Sequence, residues 1–235
     1  MRPTILLLHA FPLDSRMWDG HREALEAAGH LVLAPDLPGE PEASFTDWAR
    51  RVLRLVEGDF VPVGVSMGGY LSFELWRQAS DRIRALVLVD TRAAPETTEA
   101  RAAREETIRL AGDEGVAAVW ELMRGRLLAP GAPADIVERA REIALGQPVS
   151  GIVATLEAIR DRADSRPTLP TIGVPTLVVV GQEDVLTPPA AAEEMAASIP
   201  GARLVVIPGC GHLPPLEKPD DFRAALLPFL DEAAA

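Results

Sequence analysis

FVPVGVSMGG, residues 60–69, is the stretch of sequence that most constrains the fold. An apolar run typical of a buried strand leads into Gly-x-Ser-x-Gly, and a helical pattern follows the motif. Composition alone gives roughly 0.05 expected matches to this motif in the chain. A strand–turn–helix of this kind is typical of a nucleophile elbow, in which small residues flank a strained, accessible serine. We therefore predict that Ser66 is a nucleophile, with an ordinary glycine-rich turn as the alternative.

The rest of the chain repeats the order of strand and helix found at this motif. Short apolar runs, typical of strands buried on both faces, alternate with helical patterns that begin near candidate caps such as Ser15 and Ser44. This order predicts an α/β protein with a mostly parallel sheet of about six strands flanked by helices. The predicted strands are Thr4–His9, Leu31–Ala34, Phe60–Val65, Arg84–Val89, Pro175–Val180 and Ala202–Ile207, and the predicted helices are Arg16–Ala28, Ser44–Glu57, Met67–Ala79, Pro188–Ser198 and Asp220–Glu232.

The alternation is interrupted once, between residues 92 and 165, where no strand-like run occurs. We predict that 1–91 and 166–235 form the core and that 92–165 is a helical cap, or lid, inserted into it. Its predicted helices are Glu96–Leu110, Gly115–Arg126, Ala134–Ala144 and Val149–Arg162, with Gly112 separating the first two.

Two side chains of the cap, together with one of the core, are candidates for a substrate pocket. Trp120 and Met123 belong to an apolar stripe at helical spacing. Such a stripe usually packs on neighbouring helices, and that is the alternative interpretation. Trp18 is the third candidate pocket residue.

A nucleophilic serine needs a base, normally a histidine that a carboxylate orients. Of the four histidines, His212 follows the last predicted strand, at the edge of the sheet where α/β proteins gather their sites. Asp184 and Asp90 each follow a predicted strand and compete as its partner. We favour Asp184, because it gives the chain order Ser, Asp, His expected of a nucleophile elbow.

The negative charge that develops on an attacked carbonyl oxygen requires hydrogen-bond donors. The backbone N–H of Met67, at the start of the helix that follows Ser66, is one candidate. The other is the N–H of Phe11, in the loop after the first predicted strand. Phe11 as a plain core residue is compatible with this role, because only its backbone is needed.

Composition excludes several classes of function. The 35 acidic against 23 basic residues give a net charge of −12, which disfavours nucleic acid and anionic membrane surfaces as partners. The single cysteine, Cys210, and four scattered histidines supply no metal-ligand cluster, so we expect neither a metal nor a cofactor. The early apolar run is too short for a signal peptide or a membrane span, which predicts a cytoplasmic protein. A homodimer is also compatible with the sequence.

The motifs together resemble those of the α/β-hydrolases. The resemblance is carried along the whole chain, in the family's order, by His9-Ala10-Phe11-Pro12, Gly64-Val65-Ser66-Met67-Gly68-Gly69, Gly181-Gln182-Glu183-Asp184 and Gly211-His212. The chain is most similar to small carboxylesterases and enol-lactone hydrolases. It departs from the family in having His9-Ala10 where His-Gly is usual, and in lacking the strands that usually precede the first one found here.

The resemblance implies a serine hydrolase that cleaves small or short-chain carboxylic esters through an acyl-enzyme on Ser66, with a small-molecule ester as its substrate. An enol-lactone hydrolase with the same triad and a different pocket is the first alternative. A ligand-sensing protein without turnover is the second, and a cofactor-free peroxidase is a minor third. A haloalkane dehalogenase is excluded because that chemistry needs a carboxylate where Ser66 stands.

Overall fold

The computed structural model describes residues 2–37 and 44–233, and it confirms the predicted α/β class. Six strands form one sheet in the order β2-β1-β3-β4-β5-β6, and every neighbouring pair in it is parallel. All six predicted strands are present. They are β1 (Thr4–Leu8), β2 (Val32–Leu33), β3 (Phe60–Val65), β4 (Leu86–Val89), β5 (Thr176–Gly181) and β6 (Arg203–Ile207).

The centre of the sheet is its most buried part. Every residue of β3, β4 and β5 is buried, as expected for parallel strands that helices cover on both faces. Around the sheet, α2 packs on α3 and α1 packs on α9. The helices are α1 (Asp19–Ala27), α2 (Phe45–Leu55), α3 (Met67–Ala79), α4 (Thr98–Leu127), α5 (Ala134–Leu145), α6 (Val149–Asp161), α7 (Pro189–Ser198), α8 (Pro214–Glu217) and α9 (Pro219–Ala233).

Two helix starts show how local sequence sets the boundaries. Ser44 caps α2 as predicted, in a capping box with Asp47. The predicted cap Ser15 is corrected, because the carboxylate of Asp14 accepts the N–H of Arg16 instead. The predicted helix Arg16–Ala28 is in fact a 3₁₀ turn, Ser15–Trp18, followed by α1.

Residues 92–165, hereafter the helical segment, connect β4 to β5 through α4, α5 and α6. Its two predicted N-terminal helices form one element, α4, with a break at Gly115, where φ is 80° and ψ is −175°. The predicted break at Gly112 is therefore displaced by three residues. Gly112 is helical and Gly115 is not, because only Gly115 adopts the left-handed backbone that glycine tolerates. No helix in the described part of the chain is both long and apolar enough to cross a bilayer.

Candidate active site

Ser66 lies between the end of β3 and the start of α3, in a sharply turned backbone with φ 53° and ψ −108°. This left-handed conformation is costly for a residue with a side chain, so the surroundings must hold it. The N–H of Ser66 donates to the carbonyl of Val89 at 2.8 Å, and the Thr91 hydroxyl donates to the carbonyl of Ser66 at 2.8 Å. The predicted elbow is present, and the end of β4 holds it in place.

The two glycines of the motif are required by the close approach of the backbone on either side of Ser66. A Cβ atom on Gly64 would lie 2.4 Å from the carbonyl carbon of Gly68. A Cβ atom on Gly68 would lie 2.3 Å from the carbonyl oxygen of Leu8, in β1. Either contact would force the backbone apart, so the motif brings α3 against β1 and β3 at the point where Ser66 is presented.

Ser66, His212 and Asp184 form a continuous hydrogen-bonded chain. His212 Nε2 is 2.8 Å from Ser66 Oγ, and His212 Nδ1 is 2.7 Å from Asp184 Oδ2. All three residues are at least 90% buried. With Nδ1–H donating to the carboxylate, Nε2 is left as the acceptor for the serine proton. The geometry is that required for general-base activation of a serine hydroxyl.

The Asp184 carboxylate is fixed by donors from its own loop. Its Oδ1 accepts the N–H groups of Leu186 at 2.7 Å and Thr187 at 3.1 Å, and its Oδ2 accepts the Thr187 hydroxyl at 2.6 Å. Burial acts to raise the pKa of Asp184. The interactions with His212 and the hydrogen bond from the Thr187 hydroxyl together outweigh burial and hold the pKa of Asp184 below its usual value. Asp184 is therefore ionised at neutral pH.

The competing acid, Asp90, lies beside Asp184, but its pKa is shifted in the opposite direction. Burial, followed by the negative charge of Asp184, raises the pKa of Asp90 well above its usual value. Its Oδ1 accepts the N–H of Gly181 at 2.9 Å, and its backbone has a positive φ of 41°. The structure thus places Asp184, rather than Asp90, in a hydrogen bond with His212, whereas Asp90 Oδ2 is buried with no hydrogen-bond partner among the described residues.

The ligating atoms of Asp90, Asp184 and His212 lie within 4.8 Å of one another, a spacing that could suit a metal ion. The same atoms are occupied by hydrogen bonds, since Asp184 Oδ2 contacts both His212 and Thr187. We therefore interpret Asp184 and His212 as a hydrogen-bonded pair, with the Asp90 carboxyl held beside them by the N–H of Gly181.

The two predicted oxyanion donors lie close together. Phe11 and Met67 line the same small cavity of about 90 Å³, and Phe11 also lines the larger cavity that contains Ser66. Within the described residues neither N–H has a hydrogen-bond acceptor, as expected for Met67 at the first position of α3. Both amides are thus available to a ligand.

His9 fixes the loop that carries Phe11. Its Nε2 accepts the N–H of Leu37 at 2.8 Å, and its Nδ1–H donates to the carbonyl of Ala10 at 3.1 Å. Burial lowers the pKa of His9 and keeps the ring neutral, as this pair of hydrogen bonds requires. His9 is therefore a structural residue that holds the loop carrying Phe11.

A cavity of about 540 Å³ lies in front of Ser66 and His212. Met123 lines it, as predicted. Trp120 does not, because its side chain is 1% exposed and belongs to the buried hydrophobic core. Trp18 is also corrected, because it is fully buried and contacts the rings of His21 and Phe222. The remaining residues of the cavity wall are Phe11, Tyr70, Arg92, Glu96, Ala100, Ala103, Arg104, Glu106, Thr107, Leu110, Leu122, Arg126, Leu127, Ile159, Leu186 and Thr187.

The loop that carries His212 is tied to the end of α4. The N–H of His212 donates to the carbonyl of Leu127 at 3.1 Å. The buried carboxylate of Glu217 accepts the N–H groups of Gly211 at 3.1 Å, Leu213 at 3.0 Å and Ala129 at 2.7 Å. Glu217 therefore joins the backbone on both sides of His212 to the helical segment.

The sequence prediction missed Thr187, Glu217 and the arginines of the cavity wall. Thr187 had a local signal, since a threonine three residues after an aspartate can hydrogen-bond to its carboxylate. Glu217 had none, because an acidic residue in a short helix gives no sign that it will be buried. The arginines lie in a helical segment whose polar residues are usually interpreted as a solvated face.

The remaining histidines, His21 and His30, and the single cysteine, Cys210, are buried. His21 Nε2 contacts the carbonyl of Pro215 at 2.7 Å, and burial lowers the pKa of both His21 and His30. Burial also raises the pKa of the Cys210 thiol, which keeps it protonated and poorly nucleophilic.

Comparison with known proteins agrees with this geometry. A pimeloyl-[acyl-carrier protein] methyl ester esterase from Nitrosomonas europaea is 30% identical over 94% of this chain and 92% of its own length. A thermophilic esterase from Thermogutta terrifontis is 36% identical, with a TM-score of 0.92 over 99% of this chain and 91% of that one. The enol-lactonase from Burkholderia xenovorans is 27% identical, with a TM-score of 0.84 over 98% and 92% of the two chains. The model of the alpha/beta hydrolase family matches residues 5–225, and the chain belongs to that family.

Proposed function

We propose that the protein is a serine ester hydrolase that cleaves carboxylic esters of small or short-chain acyl groups. The observation that carries the proposal is the hydrogen-bonded chain from Ser66 Oγ through His212 to Asp184, with distances of 2.8 and 2.7 Å. Ser66 and His212, two members of this hydrogen-bonded chain, line the cavity of about 540 Å³, a size that suits a small substrate. The esterases at 30% and 36% identity support the same reaction class.

In the proposed reaction, Ser66 Oγ attacks the ester carbonyl and its proton passes to His212 Nε2. The N–H groups of Phe11 and Met67 stabilise the oxyanion. His212 returns the proton to the leaving alcohol as the C–O bond breaks, which leaves an acyl group on Ser66. Water then attacks the acyl-enzyme with His212 as base, and the carboxylic acid leaves. Asp184 holds the imidazole in the tautomer that both steps need.

The helical segment acts as the cap in this proposal. It contributes Met123 and Leu127 to the wall of the cavity that contains Ser66. Closure of the cavity by apolar side chains favours small acyl groups and keeps bulk water from the acyl-enzyme.

The test is the hydrolysis of p-nitrophenyl esters of increasing acyl length, together with labelling by a fluorophosphonate. The native protein should turn over the acetyl and butyryl esters and should be labelled. Ser66→Ala should lose about 10³-fold or more of the activity and escape labelling, because the nucleophile is gone. Ser72→Ala is a matched control: Ser72 is buried in α3 and its hydroxyl donates to the carbonyl of Gly68. Activity of Ser66→Ala within tenfold of the native value would contradict the proposal.

An enol-lactone hydrolase is the second candidate, favoured by the likeness to an enol-lactonase at 27% identity. The same triad would open the cyclic ester, and the acid would be released after hydrolysis of the acyl-enzyme. An enol-lactone turned over with kcat/KM at least about tenfold above that of the best p-nitrophenyl ester would favour this candidate.

A further inference from the structure

A cluster of arginines surrounds one buried glutamate at the wall of the active-site cavity. The Glu96 side chain is 1% exposed and pairs with Arg92 at 2.9 Å, with Arg104 at 3.7 Å and, at the shortest contact, with Arg162. Arg92, Glu96 and Arg104 line the cavity itself. One carboxylate is therefore set against three guanidinium groups, and the cluster has an excess of positive charge.

The other ionisable groups of the wall do not remove this excess. Glu106 and Arg126, both from α4, oppose one another in charge, and the remaining ionisable groups are Tyr70 from α3 and His212 of the triad. The wall thus carries Arg92, Arg104 and Arg126 against Glu96 and Glu106, one net positive charge in a chain whose net charge is −12. A cleft whose sign is opposite to that of the whole molecule selects anions locally.

Arg162 is committed to the structure. It donates to the carbonyl of Ala94 at 2.7 Å and of Ile159 at 3.1 Å, and it stacks over the ring of Tyr70 at 4.2 Å. Its contact with Glu96 takes up much of the capacity of that carboxylate. Arg162, which does not line the cavity, therefore neutralises much of the charge of Glu96, and Arg92 and Arg104 are left incompletely neutralised.

Arg104 is the cation with the least compensation. Among the described residues it has no hydrogen-bond acceptor, and the ion pair with Glu96 is long at 3.7 Å. Burial lowers the pKa of Arg104; the charge of Glu96 opposes this, and the charges of Arg162 and Arg92 add to it. A guanidinium in this position gains from a further anion, because it has lost water without gaining a full partner.

We infer that the active-site cavity binds ester substrates that carry a carboxylate remote from the scissile bond, with Arg104 and Arg92 as the residues that bind it. The inference rests on the proposed function and deepens it. One net positive charge on the wall matches the single charge of a carboxylate, and the planar guanidinium fork matches its two oxygens. The apolar wall residues, such as Ala103, Met123 and Leu127, suit a short aliphatic chain between the ester and the carboxylate.

The test compares the monomethyl and dimethyl esters of adipic acid, which share a chain and differ in one charge. The native enzyme should have a kcat/KM about tenfold or more higher for the monomethyl ester. In Arg104→Gln this ratio should fall by about ten- to a hundredfold, the effect of one charge-assisted hydrogen bond. Arg104→Lys should lie between the two, because it keeps the charge and loses the fork. The ratio does not depend on the folded fraction of a variant.

Arg109→Gln is the matched control. Arg109 lies five residues further along α4, is exposed and does not line the cavity, so its removal changes the net charge equally. Its ratio of monomethyl to dimethyl activity should equal the native ratio. If the ratio of monomethyl to dimethyl activity fell equally in Arg109→Gln and Arg104→Gln, the inference would be overturned, because the effect would then come from the net charge of the protein.

A binding measurement separates failure of the inference from failure of the proposed function. Adipate should bind Ser66→Ala, measured by calorimetry, at least about tenfold more tightly than it binds Ser66→Ala with Arg104→Gln. This difference should shrink with added salt. If neither methyl ester nor p-nitrophenyl acetate is hydrolysed, the proposed function fails while this measurement still decides the inference. Equal binding to both variants, or binding of inorganic phosphate as tight as that of adipate, would overturn the carboxylate assignment.

Discussion

The two sides of the active-site cavity are built from different parts of the chain and have different chemistry. The core side contributes Phe11, Ser66, Tyr70, Leu186, Thr187 and His212, and all its reacting groups are held by backbone hydrogen bonds close to strand ends. The helical segment contributes every arginine and glutamate among the described residues of the cavity wall, and most of its apolar residues. In the proposed enzyme, the groups that carry out the reaction and those that select the substrate therefore come from different parts of the chain.

The largest difference should appear between the two acids of the core side. Asp184→Asn should lower kcat/KM by about 10⁴-fold, because an amide cannot stabilise the imidazolium and favours the wrong tautomer of His212. Asp90→Asn should lower it by less than about tenfold, because an amide mimics a protonated carboxyl. Its oxygen can still accept the N–H of Gly181, and asparagine tolerates the positive φ of this position.

Initial rates with a p-nitrophenyl ester, alongside circular dichroism to show that both variants fold, would measure this pair. A loss in Asp90→Asn as large as that in Asp184→Asn would mean that the charge of Asp90 is needed, and the assignment of the acid would be reversed.

The second prediction divides the apolar stripe of the helical segment. Trp120→Ala should cost about 3–5 kcal/mol of stability, the usual cost of truncating a fully buried aromatic side chain. Its preference among acetyl, butyryl and octanoyl esters should stay at the native pattern. Met123→Ala should instead shift that preference toward longer acyl groups, by about 1–3 kcal/mol in relative kcat/KM, because its side chain lines the cavity.

Urea unfolding and the chain-length profile of kcat/KM, measured on the same two variants, would check this division. A changed profile in Trp120→Ala with little loss of stability would place its side chain at the substrate.

The third prediction concerns the break in α4. Gly112→Ala should stabilise the protein by about 0.5–1 kcal/mol, because Gly112 is helical and a Cβ atom there meets open space. Gly115→Ala should destabilise it by about 1–2 kcal/mol, because φ is 80° at that residue. The free energy of unfolding of the two variants would locate the break, and the opposite signs would place it at Gly112.

The smallest effect is a pH dependence that belongs to the core side, since all four histidines lie outside the helical segment. Burial lowers the pKa of His9, His21 and His30, so the unfolded chain takes up protons that the folded chain does not as the pH falls through about 6.5. Stability should therefore fall between pH 6.5 and 5. Asp90 acts in the opposite direction, because its raised pKa keeps it protonated in the folded state.

Because three histidines destabilise the fold in this pH range and only Asp90 stabilises it, we expect a net loss of stability as the pH falls. It should be seen as a fall in Tm of about 2–4 °C for each kcal/mol of unfolding free energy lost. Asp90→Asn removes the opposing group, so its Tm should fall more steeply than the native Tm over the same range. Carboxylates with lowered pKa values do not contribute here, because their stability is lost only at more acid pH. A Tm that is constant or rises from pH 6.5 to 5 would contradict the prediction.

The sequence predicted the sheet and the residues hydrogen-bonded to His212 on the core side because their signals are local, although it missed Thr187. Residues 60–69 determine both a strand end and the strained turn at Ser66, and the six apolar runs determine a sheet whose strand ends gather His212 and Asp184 at one edge. The helical segment was less predictable. Whether Trp120 or Met123 reaches the cavity depends on the rotation of α4 against α6, and both lie on the same apolar stripe.

The arginine cluster shows the same limit. Glu96, Arg104 and Arg162 are spread over 66 residues, and nothing in their spacing distinguishes a buried cluster from a solvated surface. The raised pKa of Asp90 depends on burial and on the carboxylate of Asp184, 94 residues away in the chain. Such features arise only from tertiary packing.

The hydrogen bonds of Glu217 have a consequence for how the fold can be recombined. The carboxylate joins Gly211, Leu213 and Ala129, and a Cβ atom on Gly211 would lie only 2.5 Å from the amide of Ala129. The seam between the helical segment and the catalytic loop is therefore a matched pair of surfaces. A chimera that takes residues 92–165, and with them 127–129, from a relative should therefore keep His212 in place only if residues 211–217 come from the same relative.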